Sequence, residues 1–423
     1  MFRGIAQIFS KSNKDLRKRI YLTMICLGIF CMGTTITIPW ASAVYKELGF
    51  LEIFNIMSGG GLRNFSIFAL GVSPYITASI ITQLLQMDII PYFSDLKDQG
   101  YVGRQKMSKI TRYLGILIGF IQAYALSVFY MNGADTMTIL KTALVMTAGT
   151  AFCLWMGDQI TTKGIGNGQS MIIMAGIIQS MPTIFTSAYK TFIIGETFAT
   201  WLGILLFIVF LLSYVLIIVG IVWIQLAERR IPIQYANRTN GAYGGQQSFL
   251  PVKLNSAGVI PVIFASIVTT IPGTIAALFD KGTGAASTFI SKYIVYTSPT
   301  GFILYLFLIF VFGYFYTILT LNPTEMAKDL NERGGYIPGV RPGSDTTEYI
   351  GSSIGKLTVV GNIFLMLLAA LPIIVSKISS LDSSITIGGT GMLIVVGVAI
   401  ETYKQLESSL LSRSYSEKRK RLR

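Results

Sequence analysis

Few residues in this sequence have the types and spacing to do chemistry. Gly351-Ser352-Ser353-Ile354-Gly355-Lys356-Leu357 comes nearest to a phosphate-cradling loop, but it is one residue short and lacks the Ser or Thr that would hold Mg²⁺. Gly164-Ile165-Gly166-Asn167-Gly168 reads GxGxG, not GxGxxG, and leads into an apolar run rather than a βαβ unit. The chain has no histidine, which removes imidazole proton relays, His metal sites and Ser-His or Cys-His catalysis together. Cys26, Cys31 and Cys153 lie inside apolar runs, at neither zinc-like nor disulfide-framework spacing. No catalytic residue, metal or cofactor is expected, and the chain reads as a non-enzyme.

What remains is a scaffold made for lipid. Of the 423 residues 52% are hydrophobic and 13% charged, against about a quarter charged in an ordinary soluble protein. Ten apolar runs with no charge at their centre approach the ~20 residues that a helix needs to cross a bilayer core. They fall near 20–40, 70–91, 113–131, 137–156, 170–188, 200–224, 256–279, 299–321, 357–376 and 386–403. Trp40, Trp155, Trp201 and Trp223 stand near the ends of these runs, where the headgroup layer suits an amphipathic ring. Of the 34 lysines and arginines, all but Lys46, Arg63, Lys141, Lys190, Lys281, Lys292 and Lys377 fall in the N-terminal segment, in the loops after spans two, four, six and eight, or in the C-terminal tail. The positive-inside rule then places both termini in the cytoplasm, and much of the +14 net charge is an orientation signal. Ala41-Ser42-Ala43 has the small-residue pattern of a signal cleavage site, but the apolar run before it is too long for a signal peptide and nine more spans follow. Phe2, Ile5, Ile8 and Phe9 share one helical face, which predicts a short interfacial helix in residues 1–10.

Ten spans divide five and five, and an odd number per half inverts the second half relative to the first if the two are related. Pores and carriers are built this way. The least ordinary segment is 53–69, IFNIMSGGGLRNFSIFA, too short on either side of Ser58-Gly59-Gly60-Gly61 to span. Two readings stand: a loop with an interfacial helix, or a movable stopper hinged on glycines inside a cavity, since non-helical backbone at membrane depth needs protein or water around it. Two loops are long enough to carry function. Segment 226–255 alternates apolar residues around Asn240-Gly241 and Gly244-Gly245, which predicts a hairpin. Segment 322–356 holds Gly334-Gly335, Pro338-Gly339 and Pro342-Gly343. Asp88, Asp158 and Glu401 sit at span ends, leaving no charge pair at mid-bilayer. An ion-coupled carrier usually has one, so a secondary carrier for a small solute is the second reading and a poreless scaffold the third.

Six stretches, in chain order, resemble the SecY/Sec61-alpha family of Sec protein-translocase channels. They are SGGGLRNFSIFALGVSPYITASIITQLL (58–85), WMGDQITTKGIGNGQSMII (155–173), AERRIPIQYANR (227–238), LNSAGVIPVIFASI (254–267), NPTEMAKDLNERGGYIPGVRPG (322–343) and GGTGMLIVVGVAIET (388–402). The resemblance implies an all-α integral protein of a bacterial cytoplasmic membrane, with ten transmembrane helices in two inverted five-helix halves around a central pore. It implies a passive channel for unfolded secretory proteins that also releases membrane segments sideways into lipid, through a lateral gate of spans two and three against seven and eight. The implied partners are SecE- and SecG-like small membrane subunits, the SecA motor ATPase, the ribosome, signal peptides, nascent chains and membrane lipids.

By local motif the family's pore-ring positions fall on Ile76, Ile80, Gln169, Ile173, Ile263 and Ile394, with Gln169 departing from an otherwise apolar set. A plug corresponds to 55–68, with Gly59, Gly60 and Gly61 as hinges and Leu62, Arg63 and Phe65 in its body. Arg229, Arg230, Arg238 and Arg341 would meet acidic or phosphate groups on cytoplasmic partners, where Arg forms bidentate contacts. Asp158 stands where the family more often has Glu, which keeps the charge. The implied divisions are a cytoplasmic N-terminal segment 1–19, halves 20–190 and 191–403, and a basic cytoplasmic tail 404–423.

Overall fold

Each of the ten expected spans falls on a helix. The computed structural model describes residues 14–41, 52–86, 90–131, 135–194, 200–235, 248–280, 289, 293–294, 298–378 and 383–421; the interfacial helix expected in 1–10, and Arg238, lie outside them. In chain order the helices are α1 (Lys14–Gly33), α2 (Glu52–Met57), α3 (Ser73–Leu85), α4 (Pro91–Asp98), α5 (Gly100–Tyr130), α6 (Thr136–Lys163), α7 (Gly168–Tyr189), α8 (Thr200–Leu226), α9 (Ile260–Asp280), α10 (Pro299–Thr320), α11 (Pro323–Glu332), α12 (Ser344–Ile378) and α13 (Ser383–Arg421). A π-helical turn, Lys190–Ile194, extends α7. Three strands, β1 (Glu228–Tyr235), β2 (Ser248–Lys253) and β3 (Gly335–Tyr336), fall in the two long loops.

Six helices among the described residues are long and apolar enough to cross a membrane by themselves. Several outrun the apolar stretches that announced them. Helix α5 starts well before residue 113 because Gly103, Met107 and Thr111 keep a buried stripe at four-residue spacing while Arg104, Lys106 and Lys109 stay exposed. On α8, Leu205, Leu212, Leu216 and Val219 are exposed, as are Ile303 and Phe307 on α10. Apolar faces that broad belong in lipid or against a partner.

The two halves meet along two seams: α3 and α5 pack on α9, and α7 packs on α13. Between the seams lies one buried apolar cluster fed by both halves. Arg112 reaches from α5 to Asp158 on α6 at 3.1 Å, a half-exposed pair that orients more than it stabilises.

The hairpin expected in 226–255 is present: β1 pairs antiparallel with β2, from Glu228 opposite Lys253 to Ile233 opposite Ser248. Its other edge is occupied by β3, with Gln234 opposite Tyr336 and Tyr235 opposite Gly335, so the two long loops share a three-stranded sheet. The Tyr336 hydroxyl donates to Gln234 Oε1 at 2.9 Å. Ile231, Ile233 and Val252 from the hairpin pack with Leu330, Ile337, Ile350 and Ile354 from the second loop and the start of α12. Because Ile350 is fully buried in this joint core, Ile350→Ala should cost about 2–5 kcal/mol locally. Hydrogen exchange should then show protection lost together in β1, β2 and β3; loss confined to α12 would contradict a shared core.

Candidate functional site

The glycine run at 59–61 is first of all a helix stop. Gly60 N–H donates to the Asn55 carbonyl at 2.8 Å and Gly59 N–H to the Ile56 carbonyl at 3.1 Å, with Gly59 at φ +68 and Gly60 at φ +81. This paired ending requires a left-handed residue after the helix, which glycine adopts without a Cβ clash. From Ser58 to Val72 the chain then runs through turns, yet Ser58, Leu62, Phe65, Ser66, Ala69 and Leu70 are all but fully buried. Arg63 and Asn64 are exposed at its tip. Buried backbone polar groups must find partners. Here Ser66 N–H donates to Gly61 O (2.9 Å), Ile67 N–H to Ile36 O (3.1 Å), and Ile38 N–H to Phe65 O (3.0 Å), the last two forming a bridge to the chain that follows α1. Phe65 sits at φ +46, a left-handed conformation costing a non-glycine residue about 1–2 kcal/mol. Its ring is buried and meets Tyr130 edge-on.

Three helices offer glycines to this segment. A Cβ on Gly33 of α1 would collide with the Phe68 ring, one on Gly149 of α6 with the Ile67 carbonyl, and one on Gly176 of α7 with the Met57 carbonyl. Phe68 stacks between Phe30 and Phe152, at centroid distances of 6.1 and 5.9 Å. The irregular segment is therefore seated on bare backbone from three helices. Short α2 also lies against α7 and α13, and its Ile56 carbonyl accepts a hydrogen bond from Ser180 Oγ of α7 at 3.2 Å.

Ile76 and Ile80 of α3, Ile173 of α7, Ile263 of α9 and Ile394 of α13 are buried in one cluster together with Ile56 and Met57 of α2 and Phe68 of the irregular segment. Gln169 is not among them. Its side chain lies on α6, with Nε2 3.4 Å from the Leu154 carbonyl and an amide that a Cβ on Gly157 would meet at about 2.6 Å; its Oε1 is buried with no hydrogen-bond partner. The preceding GxGxG stretch is a helix connection. Ile165 N–H donates to Thr23 Oγ1 and Gly168 N–H to Thr161 Oγ1, while Asn167 caps α7 through Gln169 N–H. On the sheet, Arg229 and Arg230 are exposed on β1, with Arg230 held 3.0 Å from Glu228. Arg341 is exposed in the turn after β3, and its carbonyl accepts from Thr346 Oγ1 at 2.8 Å.

Sequence reasoning missed the receiving glycines and β3. A glycine within an apolar run carries no local mark of what will lie against it, and a two-residue strand has no periodicity to detect.

These features define a multi-pass membrane protein that buries a non-helical segment among its helices. A family model described as SecY matches residues 66–403, and the chain belongs to the SecY family. Protein translocase subunit SecY of Bacillus subtilis is 44% identical over 429 residues, covering 98% of this chain and 99% of the relative. A solved structure described as a protein conducting channel superposes with a TM-score of 0.69 at 21% identity, over 94% of this chain and 93% of that one. Sec61 in a canine ribosome-channel complex from the endoplasmic reticulum superposes at 0.65 and 20% identity, over 94% and 93%.

Replacing Gly176 with alanine places a methyl group on the Met57 carbonyl. The segment should then lose its seat while the surrounding helices persist: amide protection at Gly60, Ser66 and Ile67 falls at least tenfold in exchange measurements on Gly176→Ala. Unchanged protection would show that α7 is not the seat.

Proposed function

We propose that this chain conducts unfolded secretory polypeptide across a bacterial cytoplasmic membrane and releases membrane segments sideways into lipid, with segment 55–68 as its plug. The observation that carries this reading is the buried, non-helical segment 58–70, whose Phe68, with Ile56 and Met57 just before it, shares an apolar cluster with isoleucines from both halves. A ring formed by Ile76, Ile80, Ile173, Ile263 and Ile394 would close around a moving chain without binding it, because branched apolar side chains offer it no hydrogen bonds and a narrow apolar constriction sheds water. With Gln169 folded onto α6, the lining left to the ring is apolar. Helices α3 and α5 against α9 and α10 form the lateral gate.

The halves are residues 20–190 and 191–403, the second inverted on the first. Both termini and the three-stranded sheet face the cytoplasm, where lysine and arginine concentrate. The sheet is the docking platform: Arg229, Arg230 and Arg341, with Arg238 on the hairpin connection, meet the acidic or phosphate groups of a SecA motor or a ribosome. Small SecE- and SecG-like subunits and lipid cover the apolar faces of α8 and α10. The chain does no chemistry of its own, and energy for transport comes from the partner.

The test is crosslinking from a cysteine at Ile80 or Ile263 to a stalled secretory chain in reconstituted membranes, with Cys26, Cys31 and Cys153 replaced. Chain-dependent adducts at both sites are expected. Export without adducts at either site would overturn the ring.

A further inference from the structure

Next to the plug's seat, α1, α7 and the plug meet at one polar junction. The Thr34 hydroxyl, at the end of α1, donates to the Cys31 carbonyl at 2.8 Å and accepts from Gln179 Nε2 of α7 at 2.9 Å. The same Gln179 presses its amide against the plug, since a Cβ on Gly59 would lie 2.7 Å from Oε1. One residue further on, Ser180 Oγ shares its proton between the Ile56 carbonyl and the Gly176 carbonyl of its own helix, both at 3.2 Å. That carbonyl is an end group of α2, and its other donor is Gly59 N–H. Thr34 and Ser180 are buried, but the junction borders a cavity of about 280 Å³ lined by Asn55, Gly59, Arg63, Gln179, Ser180 and Thr183, among others. Several waters fit in that space.

We propose that Gln179 and Ser180 are positioning residues that latch the plug, and that the Thr34–Gln179 hydrogen bond makes the latch depend on α1 staying beside α7. The proposal rests on the reading of 55–68 as a movable plug. Polar groups suit a latch that must open. An apolar seat exposes its full area to water when the plug leaves, whereas the Ser180–Ile56 hydrogen bond and the polar face of Gln179 pass to waters already at hand, so each holds the plug modestly and releases it at little cost. The coupling to α1 follows from the amide's surroundings: Thr34 Oγ1 lies 2.9 Å from Nε2 and 3.1 Å from Oε1, which also faces Gly59, so removing Thr34 leaves the amide only the 3.5 Å contact of Nε2 with the Cys31 carbonyl to hold it against the plug. A chain segment or signal helix that parted α1 from α7 would loosen the plug without touching it.

The test uses a reporter cysteine at Ser58, fully buried in the plug, in the reconstituted complex with Cys26, Cys31 and Cys153 replaced. Labelling by a membrane-impermeant thiol reagent reads plug exposure with no substrate present. Gln179→Ala, Ser180→Ala and Thr34→Ala should each raise the labelling rate about five-fold, which for Ser180 is the equivalent of one ordinary hydrogen bond to the plug. Thr183→Ala, which lines the same cavity but bonds within α7, should leave the rate unchanged. The Thr34→Ala/Gln179→Ala double variant should label no faster than Gln179→Ala, because one acts through the other. Single variants that label at the parent rate, while a stalled chain still exposes the cysteine, would overturn the latch and leave the plug standing. Additive effects in the double variant would overturn the coupling to α1. A cysteine that stays unlabelled even with a stalled chain would overturn the plug reading and the latch with it.

Discussion

The structure turns on enclosing irregular backbone inside a membrane protein. Peptide groups outside a helix or sheet are costly wherever water cannot reach them. The segment from Ser58 to Val72 meets this cost in two ways. Its own turns and the bridge to residues 36–38 pair many of its N–H and carbonyl groups, and glycines on α1, α6 and α7 let it approach their backbones closely. Much else follows from seating it: the Phe30–Phe68–Phe152 stack, the left-handed backbone at Phe65, and the contact of α2 with both α7 and α13. Through α2, which leads into it and touches both α7 and α13, the segment is tied to both halves.

The same logic explains why the seal and the docking platform are made differently. The cluster around Ile76, Ile80, Ile173, Ile263 and Ile394 is apolar and non-directional, which suits the proposed ring, since it must re-form around a passing chain. The sheet joins two loops separated by more than 80 residues through backbone pairing and a shared core, so it presents Arg229, Arg230 and Arg341 on a fixed frame. Because α12 begins in that core and runs on into the helical body, and α8 leads straight into β1, a load on the sheet has a direct path to the helices of the second half.

Much of this was legible in the sequence. Each of the ten runs located by hydropathy falls on a helix, since apolar runs of bilayer length have few other uses. Hydropathy failed at helix ends, because the amphipathic start of α5 and the tail of α13 leave the apolar zone while remaining helical. The run at 58–61 was recognisable as a break, although the freedom expected of hinges is spent at Gly59 and Gly60 on a defined helix ending. The fate of Gln169 was not legible: a ring position in a motif does not say that the side chain will fold onto Gly157. Nor could the roles of Gly33, Gly149 and Gly176 be read, because each is defined by a distant part of the chain.

The most direct measurement is the ion conductance of planar bilayers containing the reconstituted complex, intact and with residues 58–68 deleted. The account predicts a tight intact protein and a deletion variant that leaks ions with no polypeptide present. A folded deletion variant as tight as the parent, or one whose sole defect is lost uptake of a small solute, would contradict it.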